Sequence, residues 1–173
     1  GRRPDRIETA VQEIRSQTAN SNIHALQADF SNLEEVRTLA NTFKERFPRL
    51  DVLVNNAGAY FNRRHKRLGE IELTLVVNHL APFLLTGLLL DRLLVSTPAR
   101  IVNVSSGAHH YDNMDFNNLG FQRGYFGLKA YARSKLANIL FTYELARRLG
   151  KSGVTVNAVH PGQLDLNDDP QTA

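Results

Sequence analysis

Asp51-Val52-Leu53-Val54-Asn55-Asn56-Ala57-Gly58 (DVLVNNAG, residues 51–58) reads as a buried strand that runs into a polar turn. An unbroken apolar run, without polar alternation, is what a strand carries when helices cover both faces of a parallel sheet. The same grammar recurs downstream. Ile101-Val102-Asn103-Val104 is closed by Ser105-Ser106-Gly107, and Val154 to Val159 is closed by His160-Pro161-Gly162. Upstream, Ile23 to Ala28 is short and half apolar, and it predicts another strand that ends at Asp29.

Helical patterns separate these strands. Ile7, Ala10, Val11 and Ile14 recur at helical spacing behind Asp5, which with Glu8 predicts an N-cap pair. Ser31 and Glu34 predict a second capping box, with Leu33, Val36, Ala40, Phe43 and Phe47 as its apolar stripe and Pro48 as its stop. A long helix is expected from about Gly69 to Leu94. A polar loop runs to about Gly124, and a last helix carries Ala132, Leu136, Ile139, Leu140 and Tyr143 on one face up to Gly150. Strand and helix in alternation predict an α/β domain, an open parallel sheet wrapped by helices on both sides. Nothing divides residues 1–173, so a single domain is expected. Such sheets bind ligands beyond the carboxyl ends of their strands. The polar clusters at those ends are therefore the candidate site.

Composition excludes several classes. Hydrophobic residues are 42% and charged residues 22%, which suits a folded domain and not a disordered chain. The absence of cysteine excludes a disulfide scaffold and a thiol nucleophile, and it leaves the compartment open. Net charge is +4, too mild for a nucleic-acid binder. The dense run Arg63-Arg64-His65-Lys66-Arg67 is read as a solvated loop, with an anion contact as the alternative. Leu73 to Leu90 carries no formal charge, but it includes Asn78, His79 and Pro82, so a buried helix is expected there instead of a membrane span. His109, His110 and Asp112 lack a further clear ligand, so no metal site is expected.

Tyr131 and Lys135 stand at i and i+4 on the last helix, one turn apart on one face. A free tyrosine holds its proton to about pH 10, and a nearby cation favours the phenolate, so the pair suits general acid/base work. A core ring beside a surface lysine is the alternative for the pair alone. Ser106, at a strand end, points toward the same crevice. Asn78 interrupts an apolar helix, where a buried amide needs partners.

Taken together, the Asn-Asn-Ala-Gly turn, Val77-Asn78-His79, Val104-Ser105-Ser106, Tyr131…Lys135 and His160-Pro161-Gly162 resemble the short-chain dehydrogenase/reductase family in order and spacing. The stretches VNHLAPFLLT (77–86), SGAHH (106–110) and SKLANILFTYELARRL (134–149) resemble its retinol-dehydrogenase-like branch. The resemblance implies a Rossmann-like doubly wound sheet and hydride transfer between a nicotinamide cofactor and an apolar alcohol, aldehyde or ketone. It implies that Tyr131 exchanges the proton with the substrate oxygen and that Lys135 assists it and holds the nicotinamide ribose. Ser106, with Ser105 as competitor, would bond the substrate oxygen, and Asn78 would fix the helix bend and a water beside Lys135. On the cofactor side it implies that Asp29 contacts adenine. Asn55, Ala57 and Gly58 would line the adenosine ribose and pyrophosphate region, and Pro161 and Gly162 would border the nicotinamide. For Asp29 the alternative is a plain helix-start residue, and for Asn55, Ala57 and Gly58 a merely structural turn. Arg2 falls where members that prefer NADP carry a basic residue, with a solvated terminal arginine as the alternative, and on that reading NADP is expected over NAD.

The resemblance also marks departures. None of the 11 glycines forms the family's phosphate loop, which is expected upstream of Gly1 together with the first strand, first helix and most of the second strand. Without them the Ile23 strand lacks its neighbour. After Gly162 the family's cofactor-contacting threonine has no counterpart before Thr172, and Leu164 to Asp168 is read as a remnant of the last strand. A homo-oligomer is expected. The cytoplasm is the favoured location, with membrane association of the full-length protein as the alternative. A non-catalytic relative that binds nucleotide or a partner, or an inactive fragment, is the alternative function.

Overall fold

The computed structural model describes residues 1–162. The expected strand remnant at Leu164 to Asp168 lies outside the described residues. The elements are helix α1 (Pro4–Thr18), helix α2 (Leu33–Arg46), strand β1 (Val52–Asn55) and a two-stranded ribbon of β2 (Lys66–Arg67) and β3 (Ile71–Glu72). Helix α3 (Leu73–Val95), strand β4 (Ala99–Val104), helix α4 (Gly127–Leu149) and strand β5 (Val154–Val159) follow.

The main sheet is parallel in the order β1-β4-β5. Leu53 stands opposite Ile101 and Ile101 opposite Val156, so these three side chains form one row on one face. That row packs on α2, α3 and α4 together. Leu53 packs against one apolar cluster with Val36, Ala40, Leu85 and Leu89, and against a second with Leu93, Ile101 and Val156, on which Leu145 and Leu149 also pack. Each leucine buried there contributes about 1.5–3 kcal/mol of transfer free energy. On the opposite face Val52 and Val54 are 44% and 54% exposed. Among the described residues, then, the packed helices cover one face of the sheet, where coverage of both was expected. The apolar 51–54 run correctly signals a strand fit for burial on two sides, and only one side is covered here.

Several local expectations shift. The Ile23–Ala28 segment enters no sheet. It is tied by side chains and single backbone bonds, with Arg15 Nη2 donating to Ile23 O (3.1 Å), Gln27 Nε2 to Arg2 O (2.9 Å) and Ala28 N to Gly1 O (3.0 Å). A strand is defined by its neighbour's hydrogen bonds, and no described strand lies alongside this one. Helix α1 starts one residue before Asp5, with Pro4 in its first turn and no side-chain cap. The fixed φ of proline suits that position, and Asp5 pairs with Arg3 instead. Helix α2 is capped by Asn32, whose Oδ1 accepts from Glu34 N (3.1 Å), while Glu35 reaches back to Asp29 N (2.8 Å). The box is therefore one residue later than Ser31 and Glu34.

The helix expected from Gly69 begins at Leu73. Leu68 and Gly69 both take positive φ (34° and 68°) and turn β2 into β3. The buried carboxylate of Glu72 then caps α3, accepting from Thr74 N (2.6 Å) and Leu75 N (2.5 Å). That places an anion on the positive end of the helix dipole. Helix α3 is long and apolar enough to cross a membrane by length and composition. Here it packs as a core helix, burying Ala81, Leu85, Leu89 and Leu93. The basic run is only partly solvated. Lys66 and Arg67 form β2, and Arg64 is half-buried, donating to Glu70 O and Gly120 O.

Candidate active site

The site lies beyond the carboxyl ends of β1, β4 and β5, as an open parallel sheet dictates. Helix α3 changes pitch to reach it. Residues Val76–Leu80 form a π-turn within the α-helix, and Asn78 sits in that turn, fully buried. Its Oδ1 accepts from Ala59 N (2.7 Å), and its Nδ2 donates to Ala59 O (2.9 Å) and Ser134 Oγ (3.0 Å). Asn78 thus clamps the turn after β1 to α3 and α4. Single π-turns inside helices occur often at functional sites.

Helix α4 presents a buried face that the sequence reading missed. Leu140 and Tyr143, assigned to its inner stripe, are 46% and 72% exposed. Of the expected stripe Ala132 is buried, and the buried side also carries Ser134, Asn138 and Thr142, polar residues repeated every four positions. These residues extend a polar network under the sheet. Asn55 Nδ2 donates to Thr86 Oγ1 (3.0 Å) and Asn103 Oδ1 (2.8 Å), and Asn103 Nδ2 donates to Thr142 Oγ1 (2.9 Å). Asn138 Nδ2 donates to Asn78 O (3.0 Å), and its Oδ1 stands 2.9 Å from His79 Nδ1. Burial pushes the His79 imidazole below its ordinary range, toward the neutral form, against the bond from Asn138. The signal in the sequence was a polar repeat at helical spacing, which competed with a more conspicuous leucine pattern.

The outer face of the same helix turn faces a cleft of about 800 Å³. Ser106, Tyr131, Lys135, Gly58, Pro161 and Gly162 all line it. Lys135 Nζ lies 5.5 Å from the Tyr131 ring centroid and donates to Val104 O (3.0 Å). Burial lowers the Lys135 ammonium's affinity for its proton. The Tyr131 ring packs edge-on against Tyr60 at 6.0 Å. Ser105 donates its hydroxyl to Lys135 O (2.9 Å), whereas the Ser106 oxygen accepts from Ala108 N (3.2 Å) and keeps its own proton for another acceptor.

A second cleft of about 710 Å³ adjoins the first at Gly58 and Ala59 and holds Arg2, Asp29, Ala57 and Arg67. The Asp29 carboxyl is held below its usual range chiefly by the bond from Ser31 N (2.9 Å), with the Arg2 and Arg67 guanidiniums adding to it. Of the residues singled out from the sequence, Asn55 and Asn78 line neither cleft. The Asn55 side chain turns into the polar network with Thr86 and Asn103, and Asn78 acts behind Gly58. A Cβ at Gly58 would lie 3.4 Å from Lys135 Nζ and 3.7 Å from Asn78 Oδ1, so the turn passes in van der Waals contact with both side chains where the two clefts meet. Two joined clefts with a carboxylate and a guanidinium at one end and a tyrosine-lysine pair at the other fit an extended dinucleotide. Among the described residues no group of three His, Asp or Glu could hold a metal ion.

Fold and site together define a Rossmann-like α/β domain with a tyrosine-lysine pair beyond the carboxyl ends of its strands. Residues 1–169 match the family model described as short chain dehydrogenase, and the chain belongs to that family. It is 48% identical over 155 residues to retinol dehydrogenase 12 of Homo sapiens, covering 90% of this chain and 49% of that protein. It is 45% identical over 159 residues to human retinol dehydrogenase 13, covering 91% of this chain and 48% of that protein. The chain thus spans about half the length of these curated relatives. Among solved structures, the Pseudomonas aeruginosa RhlG/NADP active-site complex aligns with a TM-score of 0.72 at 28% identity, over 95% of this chain and 64% of that one. A short chain dehydrogenase from Burkholderia cenocepacia in complex with NADP aligns with a TM-score of 0.71 at 32% identity, over 92% and 60%.

Proposed function

We propose that residues 1–173 form one catalytic domain of an NADP-preferring oxidoreductase that interconverts an apolar alcohol with its aldehyde or ketone. The observation that carries this reading is the convergence of Ser106, Tyr131 and Lys135 on one cleft that joins, at Gly58, a second cleft bearing Arg2 and Asp29. The names of the retinol dehydrogenases and the NADP complexes among the relatives support it.

A bound nicotinamide supplies or accepts the hydride at the substrate carbon. The chain's own groups manage the oxygen. In reduction, the Tyr131 hydroxyl gives its proton to the carbonyl oxygen as that oxygen gains charge, and in oxidation the phenolate takes the proton back. Ser106 donates a hydrogen bond to the same oxygen, which stabilises the developing charge. The Lys135 ammonium has three N–H groups, of which one is spent on Val104 O. The others are available to ribose hydroxyls and to the field around Tyr131. Asn78 holds the Ala59 backbone and Ser134, and so fixes where Lys135 and the turn meet. Asp29 and Ala57 lie at the adenosine end, with Arg2 placed for a 2′-phosphate. Pro161 and Gly162 border the nicotinamide end. Tyr60, Tyr111 and Leu128 line the outer wall of the catalytic cleft, which favours an apolar substrate.

The test is Lys135→Ala in the full-length protein, assayed by nicotinamide absorbance with an aliphatic aldehyde and by fluorescence titration with NADPH. Loss of both turnover and NADPH binding is expected. Retention of both refutes the reading.

A further inference from the structure

Arg133 stands between Tyr131 and Lys135 in sequence, but two residues along a helix point to different faces. Its side chain turns away from the catalytic cleft and is buried, 5% exposed. There it gathers three points of the segment that leads from Ser106 into α4. Arg133 Nε donates to Asp112 Oδ2 (2.8 Å), and Nη1 donates to Asn118 O (2.6 Å). The guanidinium also lies 3.9 Å from the ring centroid of Phe121, which is itself 3% exposed. Asp112 is nearly as enclosed as its partner.

The same segment is pinned from its far side. Arg64 Nη2 reaches Gly120 O (3.4 Å), and a Cβ at Gly120 would lie 3.2 Å from Ile71 Cα, so the corner at 118–121 is pressed against the ribbon. The segment begins at Ser106 and carries Ala108 and Tyr111, both of which line the catalytic cleft. A charged group this deep is costly unless it is fully paired. Here it is paired only when residues 112, 118 and 121 occupy one particular arrangement. Burial therefore selects a single position for the wall that faces the substrate.

We propose that the buried Arg133–Asp112 pair is a positioning device that sets the substrate-side wall of the cleft, and with it the Ser106 hydroxyl and the Tyr111 ring, against the catalytic helix. The proposal rests on the reading of the cleft as a carbonyl site. The pair acts on substrate recognition and leaves the nucleotide end alone, because Arg2, Asp29 and Ala57 lie in the other cleft.

The test uses Arg133→Met and Asp112→Asn in the full-length protein. Hydrogen exchange over residues 107–121 is measured by mass spectrometry, with KM for octanal and Kd for NADPH alongside. Faster exchange in 107–121 is expected, with 99–104 and 154–159 unchanged. KM should rise roughly 10-fold, since small misplacements of positioning groups weigh heavily on reaction, while the NADPH Kd stays at its wild-type value. Asp112→Asn keeps an acceptor for Nε and should show the smaller effect. Wild-type exchange in 107–121 overturns the proposal. So does a joint rise of KM and Kd, which is what a merely structural pair would give. If Arg133→Met does not fold, Asp112→Asn decides by the same readouts. If the wild-type protein does not turn over octanal while the exchange result holds, the carbonyl reading fails and the positioning role of the pair stands.

Discussion

Two glycines in helices give opposite predictions, and the opposition comes from space, since neither has an unusual φ. Gly127 is the first residue of α4. A Cβ built there falls 2.6 Å from Phe61 O and 3.1 Å from the Tyr60 hydroxyl. Phe61 O already accepts from Tyr125 Oη (2.7 Å), so it is held in place. The helix preference of alanine over glycine is worth at most about 1 kcal/mol. Overpacking of this kind costs about 1–3 kcal/mol, and a carbonyl at 2.6 Å is backbone that has to move. Gly127→Ala should therefore destabilise by about 1–2 kcal/mol net. It should also slow turnover, because the displaced Tyr60 ring packs on Tyr131 at 6.0 Å. Gly87, in the middle of α3, has nothing within 4 Å of its Cβ position. Gly87→Ala should stabilise by about 0.5–1 kcal/mol and leave kcat unchanged. Urea unfolding of the full-length protein, with kcat measured on the same samples, reads both. Stabilisation by both substitutions would show that propensity governs Gly127 and that the close approach of Phe61 is not rigid, which would undercut the packing account of the cleft.

Further outcomes follow from the site. Arg2→Asp should weaken NADPH by ~10–100-fold, the worth of a charge-assisted contact, and leave NADH nearly unaffected in a fluorescence titration; equal effects on both would remove Arg2 from phosphate recognition. Burial lowers the folded-state pKa of His79, so the unfolded chain binds the extra proton more readily. Stability should then fall as pH drops below about 6.5 and continue to fall toward the folded value, and His79→Gln should flatten that slope in unfolding midpoints taken across the range. Asn138→Leu leaves both Asn78 O and His79 Nδ1 without a partner. At about 1–3 kcal/mol for each orphaned group it should cost at least 2 kcal/mol, and a loss well under that by urea unfolding would mean that water replaces the amide.

Much of this was legible in the sequence because the signals were local. The strands at 52–55, 99–104 and 154–159 announce themselves as apolar runs ending in polar turns, and Tyr131 and Lys135 share a face by spacing alone. Ser106 and Gly58 were legible because strand ends point at the crevice. What failed was decided by neighbours. Whether Ile23–Ala28 is a strand depends on a partner strand, which no property of those residues reveals. The inner face of α4 depends on Asn55, Asn103 and Asn78, distant in sequence, and only their presence makes Ser134, Asn138 and Thr142 the buried side. Arg64 reads as solvated charge until Gly120 is folded against it, and nothing local singles out Arg133 before Asp112 and Phe121 surround it. The start of α3 moved because a positive-φ turn at Leu68 and Gly69 created a ribbon whose end, Glu72, is the better cap.

The central claim is that Tyr131 exchanges the proton of the substrate oxygen. Tyr131→Phe in the full-length protein removes only the hydroxyl and keeps the ring packed on Tyr60. The account predicts that kcat for aldehyde reduction falls by at least ~10², the scale of a positioned general acid, while NADPH affinity is retained. A wild-type kcat in Tyr131→Phe would contradict it.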